Sequence, residues 1–320
     1  MRVYRWDLDK TYLDTDFQSV RGVVRAATEA AHRKRALPGA ATLLRALSHG
    51  SETKVTVLSG SPRQMKRVLS EKLALDGVRF NEMVLKDNVG NVRRGRFRAI
   101  RGQFGYKLPA LLRARSKTPA SATEVLFGDD VEADALVYSV YADAVMGRIG
   151  AAQVSRIMER AGAYPDEIDT TLDVLALVPR AEAVERIFIR QERGVSTARL
   201  AVLGTRVVPV RSWWQAALIL ESEGHLSSDA VQEVLEDVYE SSGFDAWTIG
   251  ALAQDVVRRG WVSADAFDAL RGPNDAVAAV REAVALVGGA GIDAPREVSH
   301  PIDYISVLSG SGWGRHGQPE

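Results

Sequence analysis

The sequence predicts an α/β fold: a Rossmann-like core with a parallel sheet and a small cap, followed by a helical C-terminal region. Two observations carry the parallel sheet. First, three short apolar runs, "VYRWDLD" from Val3, "KVTVLSGSP" from Lys54 and "TEVLFGDD" from Thr123, each end in small or acidic polar residues. Second, helix-like segments lie between them: "PGAATLLRAL" before the second run, "RQMKRVLSEKLA" after it and "YKLPALLRARSK" before the third. Strands alternating with helices are the pattern of a parallel sheet. In such sheets the ligand sits beyond the carboxyl ends of the strands. The polar ends of all three runs should therefore converge on one place.

Later elements fit the same reading. Periodicity predicts a long helical stretch from about Ala133 to Ile168, then strands in "VERIFIR" from Val184 and "TRVVPV" from Thr205. Beyond Ser212 the chain reads as helices. Two similar corners occur there, "GHLSSDA" at Gly224 and "GWVSADA" at Gly260. Each has a glycine suited to end a helix and a serine suited to cap the next, with Asp229 or Asp265 in its first turn. The expected organisation is an α/β domain over 1–226, a helical domain over 227–308 and a disordered tail over 309–320.

Composition limits the function. The 320 residues are 46% apolar and 26% charged, with zero formal net charge and no cysteine. Zero cysteine excludes disulfides, thiolate zinc sites and cysteine nucleophiles. No apolar run reaches membrane-spanning length, and a cytoplasmic protein is the expectation. The five histidines show no metal-binding spacing, and no phosphate-binding or dinucleotide glycine pattern is present.

The residues suited to chemistry lie at the run ends. Asp7 and Asp9 are two apart, so on a strand their side chains point the same way. Such a pair can hold Mg²⁺, or one carboxylate can attack phosphorus while the other moves protons. A capping aspartate and a turn aspartate would look the same. Ser59 and Ser61 offer hydroxyls and backbone N–H groups at a strand-to-helix junction, suited to a phosphate, with Ser59 and Gly60 the expected phosphate-binding pair. Ser61, before Pro62, fits the cap of the next helix. Lys107 opens a helix, where a cation needs an anionic partner such as a phosphate or Asp7. "GDDVEAD" gathers Asp129, Asp130 and Asp134, oxygen ligands suited to Mg²⁺ or merely an acidic helix start.

The order D-x-D-x-T, strand serine, lysine and G-D-x-x-x-x-D resembles the four motifs of the haloacid dehalogenase (HAD) superfamily. "DTDF", "LPGAATLLRAL", "VLSGSPRQM" and "LFGDDVEADALVY" are similar to the catalytic domain of the actin-patch-associated phosphatidate phosphatases and their bacterial relatives. "RVVPVRSWWQAAL" is similar to the segment on the C-terminal side of that domain. The resemblance implies an Mg²⁺-dependent phosphomonoesterase working through an aspartyl-phosphate. It implies Asp7 as nucleophile and Asp9 as general acid and base, with the Asp9 carbonyl on Mg²⁺. Ser59 would bind the phosphoryl oxygen, and Lys107 would neutralise the nucleophile and the transferring group. Asp129 would ligate Mg²⁺, Asp134 would support it, and Asp130 would share that role. The implied substrate is a small anionic phosphorylated molecule, with a lipid phosphate as one candidate.

One charge run stands apart. From Arg93 to Lys117 there are nine Lys or Arg and no Asp or Glu, with Phe97, Phe104 and Tyr106 interleaved. It is suited to attract an anionic lipid or a nucleic-acid end, or it is a solvated face. The readings that rival a lipid phosphatase are therefore a polynucleotide-end phosphatase and a catalytically idle interaction module.

Overall fold

The structure, a computed structural model, describes residues 1–14, 29–86, 102–131, 133–192, 194–287 and 300–310. Six parallel strands form one sheet: β1 (Arg2–Asp7), β2 (Thr53–Pro62), β3 (Glu82–Lys86), β4 (Thr123–Asp129), β5 (Val184–Arg190) and β6 (Val207–Val210), in the spatial order β3-β2-β1-β4-β5-β6. Parallel neighbours need long crossovers, and helices supply them. In chain order these are α1 (Ala40–Ser48), α2 (Lys66–Leu75), α3 (Phe104–Ser116), α4 (Asp134–Met146), α5 (Ala151–Arg160), α6 (Pro165–Leu175) and α7 (Thr197–Ala201), and α8 (Trp213–Ser222) follows β6. The chain continues through α9 (Ser228–Ser241), α10 (Ala246–Arg258), α11 (Asn274–Ala285) and α12 (Tyr304–Ser309). The expected α/β architecture with a parallel sheet is present. Residues 15–28 and 87–101 lie outside the described residues, and the expected small cap is not assigned to any described element.

The strand order reverses between β1 and β4. From β1 the chain winds outward to β2 and β3, then returns to add β4, β5 and β6 on the other side. At such a switch the crossovers leave in opposite directions and open a crevice at the carboxyl ends. Asp7 ends β1 and Asp129 ends β4, so topology alone places these two carboxylates at that crevice.

Each sheet face buries its own apolar layer. Tyr4 and Trp6 of β1, Val55 and Val57 of β2 and Phe127 of β4 share one cluster with Leu43 and Leu47 of α1 and Trp213 of α8. Trp6 stacks on Phe127 with ring centroids 4.0 Å apart, and Phe127 on Phe188 at 5.4 Å. Burying Phe127 contributes about 1.5–3 kcal/mol, so this column anchors the strands that carry Asp7 and Asp129. The opposite face packs Leu58, Leu126, Ile187 and Ile189 against α3 and α4. Alternation puts Arg5 and Asp7 on this second side. Buried Arg5 is matched there by Glu124 of β4, with bonds of 2.8 and 2.6 Å, and Tyr141 donates to the same carboxylate at 2.6 Å. Arg115 of α3 adds a third donor at 3.4 Å.

Several sequence expectations change. The helical stretch expected over Ala133–Ile168 is three helices, broken where Gly147 and Gly162 take positive φ of 79° and 80° and end α4 and α5. Strand β3, a short half-exposed strand, was not anticipated. Ser61 does not cap α2. It lies inside β2, and Met65 precedes the helix without a side-chain cap. Of the two similar corners, both glycines have positive φ. Ser227 caps α9 by accepting from the Ala230 N–H, whereas Ser263 only precedes a single 3₁₀ turn, Ala264–Phe267, and makes no cap bond. Val231, Val234, Leu235 and Val238 of α9 share the cluster of the first sheet face, so one apolar layer runs across the expected boundary at 226. Ser309 still belongs to α12, where its hydroxyl accepts from Arg160. The rest of the expected tail, 311–320, lies outside the described residues. Among those residues no helix is long and apolar enough to cross a membrane.

Candidate active site

The predicted residues meet at the switch point. Asp7 is fully buried at the end of β1, and its Oδ1 is 2.8 Å from Nζ of Lys107. Lys107 comes from the first turn of α3, and the same amine contacts Oδ1 of Asp134. A cation in the first turn of a helix opposes the macrodipole, and two carboxylates offset that cost here. Asp134 opens α4 and reaches back over β4. Gly128 makes this approach possible: a Cβ there would lie 2.6 Å from the Asp134 Cβ and Oδ2. The glycine of the "GD" pair is thus a steric requirement of the lysine–aspartate contact.

Asp129 completes an acidic trio. Asp7, Asp129 and Asp134 are all buried and offer one oxygen each, mutually within 4.8 Å. Hard oxygen donors at this spacing suit a divalent cation of the Mg²⁺ kind. Their proximity without such an ion would be costly, since Lys107 brings a single positive charge to the group. The residues present therefore fit a divalent metal. Asp129 is further fixed by Thr11, whose hydroxyl donates to its Oδ2 at 3.1 Å, and by the Val131 N–H, which donates to Oδ1 at 2.6 Å.

Asp130 is not part of this trio. Its oxygens accept from the backbone N–H groups of Glu192 at 2.7 Å and Val195 at 2.8 Å. Successive strand residues point to opposite sides, so Asp130 turns to the loop after β5 and pins it. Asp130 thus holds the loop after β5 and stands outside the trio of carboxylates that lie within 4.8 Å of one another.

Asp9 has different company. Ser59 donates to its Oδ2 at 2.7 Å, and the Ser61 hydroxyl lies 3.4 and 3.5 Å from its two oxygens. The Ser61 N–H in turn donates to the Ser59 hydroxyl at 3.0 Å. Both serines of "SGS" therefore serve Asp9, and the sequence expectation that Ser61 serves the helix fails for that reason. Among the described residues, a Cβ at Gly60 would meet no atom within 4 Å. The turn after Asp9 is strained, because Lys10 has a φ of 62°, which non-glycine residues rarely adopt. Its N–H donates to the Leu13 carbonyl at 3.0 Å, and the Trp213 indole donates to the Thr11 carbonyl at 3.0 Å. These bonds hold the strained turn in place.

Sequence reasoning gave no role to Thr11 and did not single out Lys34. Buried Lys34 comes directly after the 3₁₀ turn Ala31–Arg33 and senses the charge of Asp9. Burial pushes its amine below the ordinary lysine value, with Glu29 and Asp9 acting in the other direction. Thr11 was visible as the last letter of D-x-D-x-T. Nothing in "AHRKRALP" marks Lys34.

The basic run is only partly a surface. Residues 93–101, with Arg93, Arg94, Arg96 and Phe97, lie outside the described residues. In the remainder, Lys107 and Arg115 are buried and ion-paired, and Phe104 is buried. Tyr106 bonds inward to β2. Phe104 and Tyr106 are therefore not a stacking platform for bases. Arg113 and Lys117 are exposed, at the far end of α3.

No curated protein and no solved structure matches the chain. The family comparison agrees with the geometry. Its match begins at Trp6, one residue before Asp7, and ends inside α5, so it takes in Asp7, Asp9, Ser59, Lys107, Asp129 and Asp134 together. Residues 6–155 match the family described as "Phosphatidate phosphatase APP1, catalytic domain", and over that segment the chain is similar to this HAD-like phosphatase family.

Proposed function

We propose that the protein is an Mg²⁺-dependent phosphomonoesterase that works through an aspartyl-phosphate on Asp7, with a lipid phosphate as substrate. The observation that carries this reading is the division of labour between the two aspartates of D-x-D-x-T. Asp7 lies against an ammonium at 2.8 Å, which favours the ionised form a nucleophile needs. Asp9 lies against the hydroxyls of Ser59 and Ser61, groups that tolerate either protonation state of a carboxyl. That suits an acid and base. The family match supports the phosphatase class, and its description names phosphatidate, an anionic lipid phosphate.

The steps balance. An oxygen of Asp7 attacks phosphorus, the ester P–O bond breaks, and the leaving oxygen takes the proton of Asp9. Asp9, now a carboxylate, takes a proton from water as that water attacks phosphorus. The bond from phosphorus to Asp7 breaks, inorganic phosphate leaves, and both side chains return to their starting forms. Lys107 offsets negative charge on Asp7 and on the transferring group throughout. When Asp9 holds the proton, the Ser59 hydroxyl can turn from Asp9 to a phosphoryl oxygen. Asp7, Asp129 and Asp134, with the Asp9 carbonyl that the resemblance implies, would hold Mg²⁺, which supplies charge neutralisation at the phosphoryl oxygens.

The test uses the full chain with an aryl phosphate and with phosphatidate in mixed micelles, each with Mg²⁺ and with a chelator. Activity on both esters is expected only with Mg²⁺. Asp7→Asn should abolish it and leave no acid-stable phosphoprotein. Asp9→Asn should slow the alkyl ester about 10²–10⁴-fold, the aryl ester less, and accumulate phosphoprotein. Turnover by Asp7→Asn, or full activity in chelator, would sink the reading.

A further inference from the structure

We propose that Tyr106 is a positioning residue for the phosphate site: its hydroxyl takes over from the β2–β3 ladder where that ladder stops, and so fixes the backbone of Ser59. This rests on the reading of Ser59 as a phosphate-binding residue given above. β3 pairs with β2 regularly as far as Ser59, opposite Leu85, and then the register shifts before Pro62 meets Lys86. A ladder that ends at a site leaves backbone groups of its last residue to be held by something else. The Tyr106 hydroxyl does this. It lies 2.6 Å from the Ser59 carbonyl and 2.8 Å from the Val84 carbonyl, so its one proton is shared between the two strands. The same oxygen accepts from the Ser59 N–H at 3.2 Å. Both backbone groups of Ser59 and one of its neighbouring strand thus converge on a single phenol.

The phenol is itself held. Lys86 places Nζ 5.6 Å from the ring centroid, and that amine donates to the Gly102 carbonyl at 2.8 Å, at the approach to α3. Burial pushes the Tyr106 hydroxyl well above its ordinary value, so it stays a neutral donor. Tyr106 directly precedes Lys107. One helical turn therefore fixes the nucleophile's strand through an amine and the phosphate-binding strand through a hydroxyl. With the Ser59 backbone fixed, its hydroxyl meets Asp9.

The experiment compares wild type with Tyr106→Phe, which keeps the ring and its packing. Three things are measured: amide hydrogen exchange, affinity for inorganic phosphate by titration, and aryl phosphate kinetics. The loss of one hydrogen-bonding group should raise exchange at Ser59 about three- to tenfold, while amides of β1 stay as they were. Phosphate should bind about three- to tenfold more weakly, and KM should rise in step while kcat changes less. Adding Ser59→Ala to Tyr106→Phe should cost little more than Ser59→Ala alone, because both act through one group. Unchanged exchange at Ser59, faster exchange with unchanged phosphate affinity, or fully additive losses would each overturn the proposal. Absence of any wild-type phosphatase activity would instead count against the assignment of the reaction. Exchange and phosphate titration would still decide the role of Tyr106.

Discussion

Lys107→Met separates the electrostatic account of the site from a purely steric one. The amine is fully buried and contacts Asp7 at 2.8 Å as well as Asp134. Methionine fills similar volume without charge, so packing changes little. Removing one partner of a buried ion pair costs about 3–5 kcal/mol. Unfolding entropy of ~2.1 cal/mol/K per residue gives roughly 0.7 kcal/mol/K for this chain, so Tm should fall by about 4–7 °C. The acidic trio should then prefer a divalent cation more strongly, because the competing ammonium is gone. Each tenfold gain in Mg²⁺ affinity adds ~1.4 kcal/mol at a fixed high concentration, or roughly 2 °C. The assay is thermal unfolding of wild type and variant across an Mg²⁺ series, alongside aryl phosphate turnover. Mg²⁺ should restore more Tm to the variant than it adds to wild type, while turnover stays lost. A variant as stable as wild type without Mg²⁺, or one with no larger Mg²⁺ gain, would refute the argument that Lys107 balances this charge.

Two further outcomes rest on one bond and on one buried network. Thr11→Val removes the donor to Asp129 Oδ2 but keeps the Thr11 backbone bond to Trp213. Mg²⁺ affinity, read by the Tm series, should weaken about 10–100-fold with little change in Tm without metal; an unchanged Mg²⁺ series would show that Thr11 does not orient the ligand. Glu124→Gln tests the buried network under the site. Burial pushes the Glu124 carboxyl up, but Arg5, Tyr141 and Arg115 together hold it below its ordinary value. A carboxyl lowered in the fold stabilises above its unfolded value and loses that contribution as pH falls through its folded value. Urea unfolding should therefore show a gap of about 3–5 kcal/mol between wild type and Glu124→Gln at pH 7. The gap should close in acid, below the ordinary carboxylate range, and a gap independent of pH would contradict the ion-pair account.

The legible part of the site is the part written at strand ends. Asp7, Ser59 and Asp129 stand where apolar runs stop, and a parallel sheet brings such positions together whatever the helices do. Lys107 was legible because a cation in a first helical turn needs a partner, and the structure gives it two. What was not legible depends on register between elements far apart in sequence. Tyr106 matters only because the β2–β3 ladder slips after Ser59, and β3 itself is a short, half-exposed strand with no alternation strong enough to show. Ser61 had the composition of a cap, yet β2 runs past it and turns its hydroxyl to Asp9. Asp130 shared every compositional feature of Asp129. One residue of strand alternation separates them, and composition does not carry it. The same holds for the basic run, where Arg115 is not a surface cation but bonds to the buried carboxylate of Glu124.

The family match ends at residue 155, but the site does not. The loop that carries Asp9 and Thr11 is held by the Trp213 indole, from the segment "RSWWQAAL". Asp130, next to the metal-site candidate Asp129, is fixed by N–H groups of residues 192 and 195. Phe127, one turn of strand before Asp129, is stacked on Phe188 of β5 as well as on Trp6. A strained turn at Lys10 persists only where its surroundings over-determine it, and part of those surroundings lies after residue 155. The motifs are thus local in sequence, while the geometry that makes them a site is supplied by the second half of the chain. β5 and β6 flank β4, Trp213 braces the β1 loop, and α9 to α11 cover the apolar face beneath both.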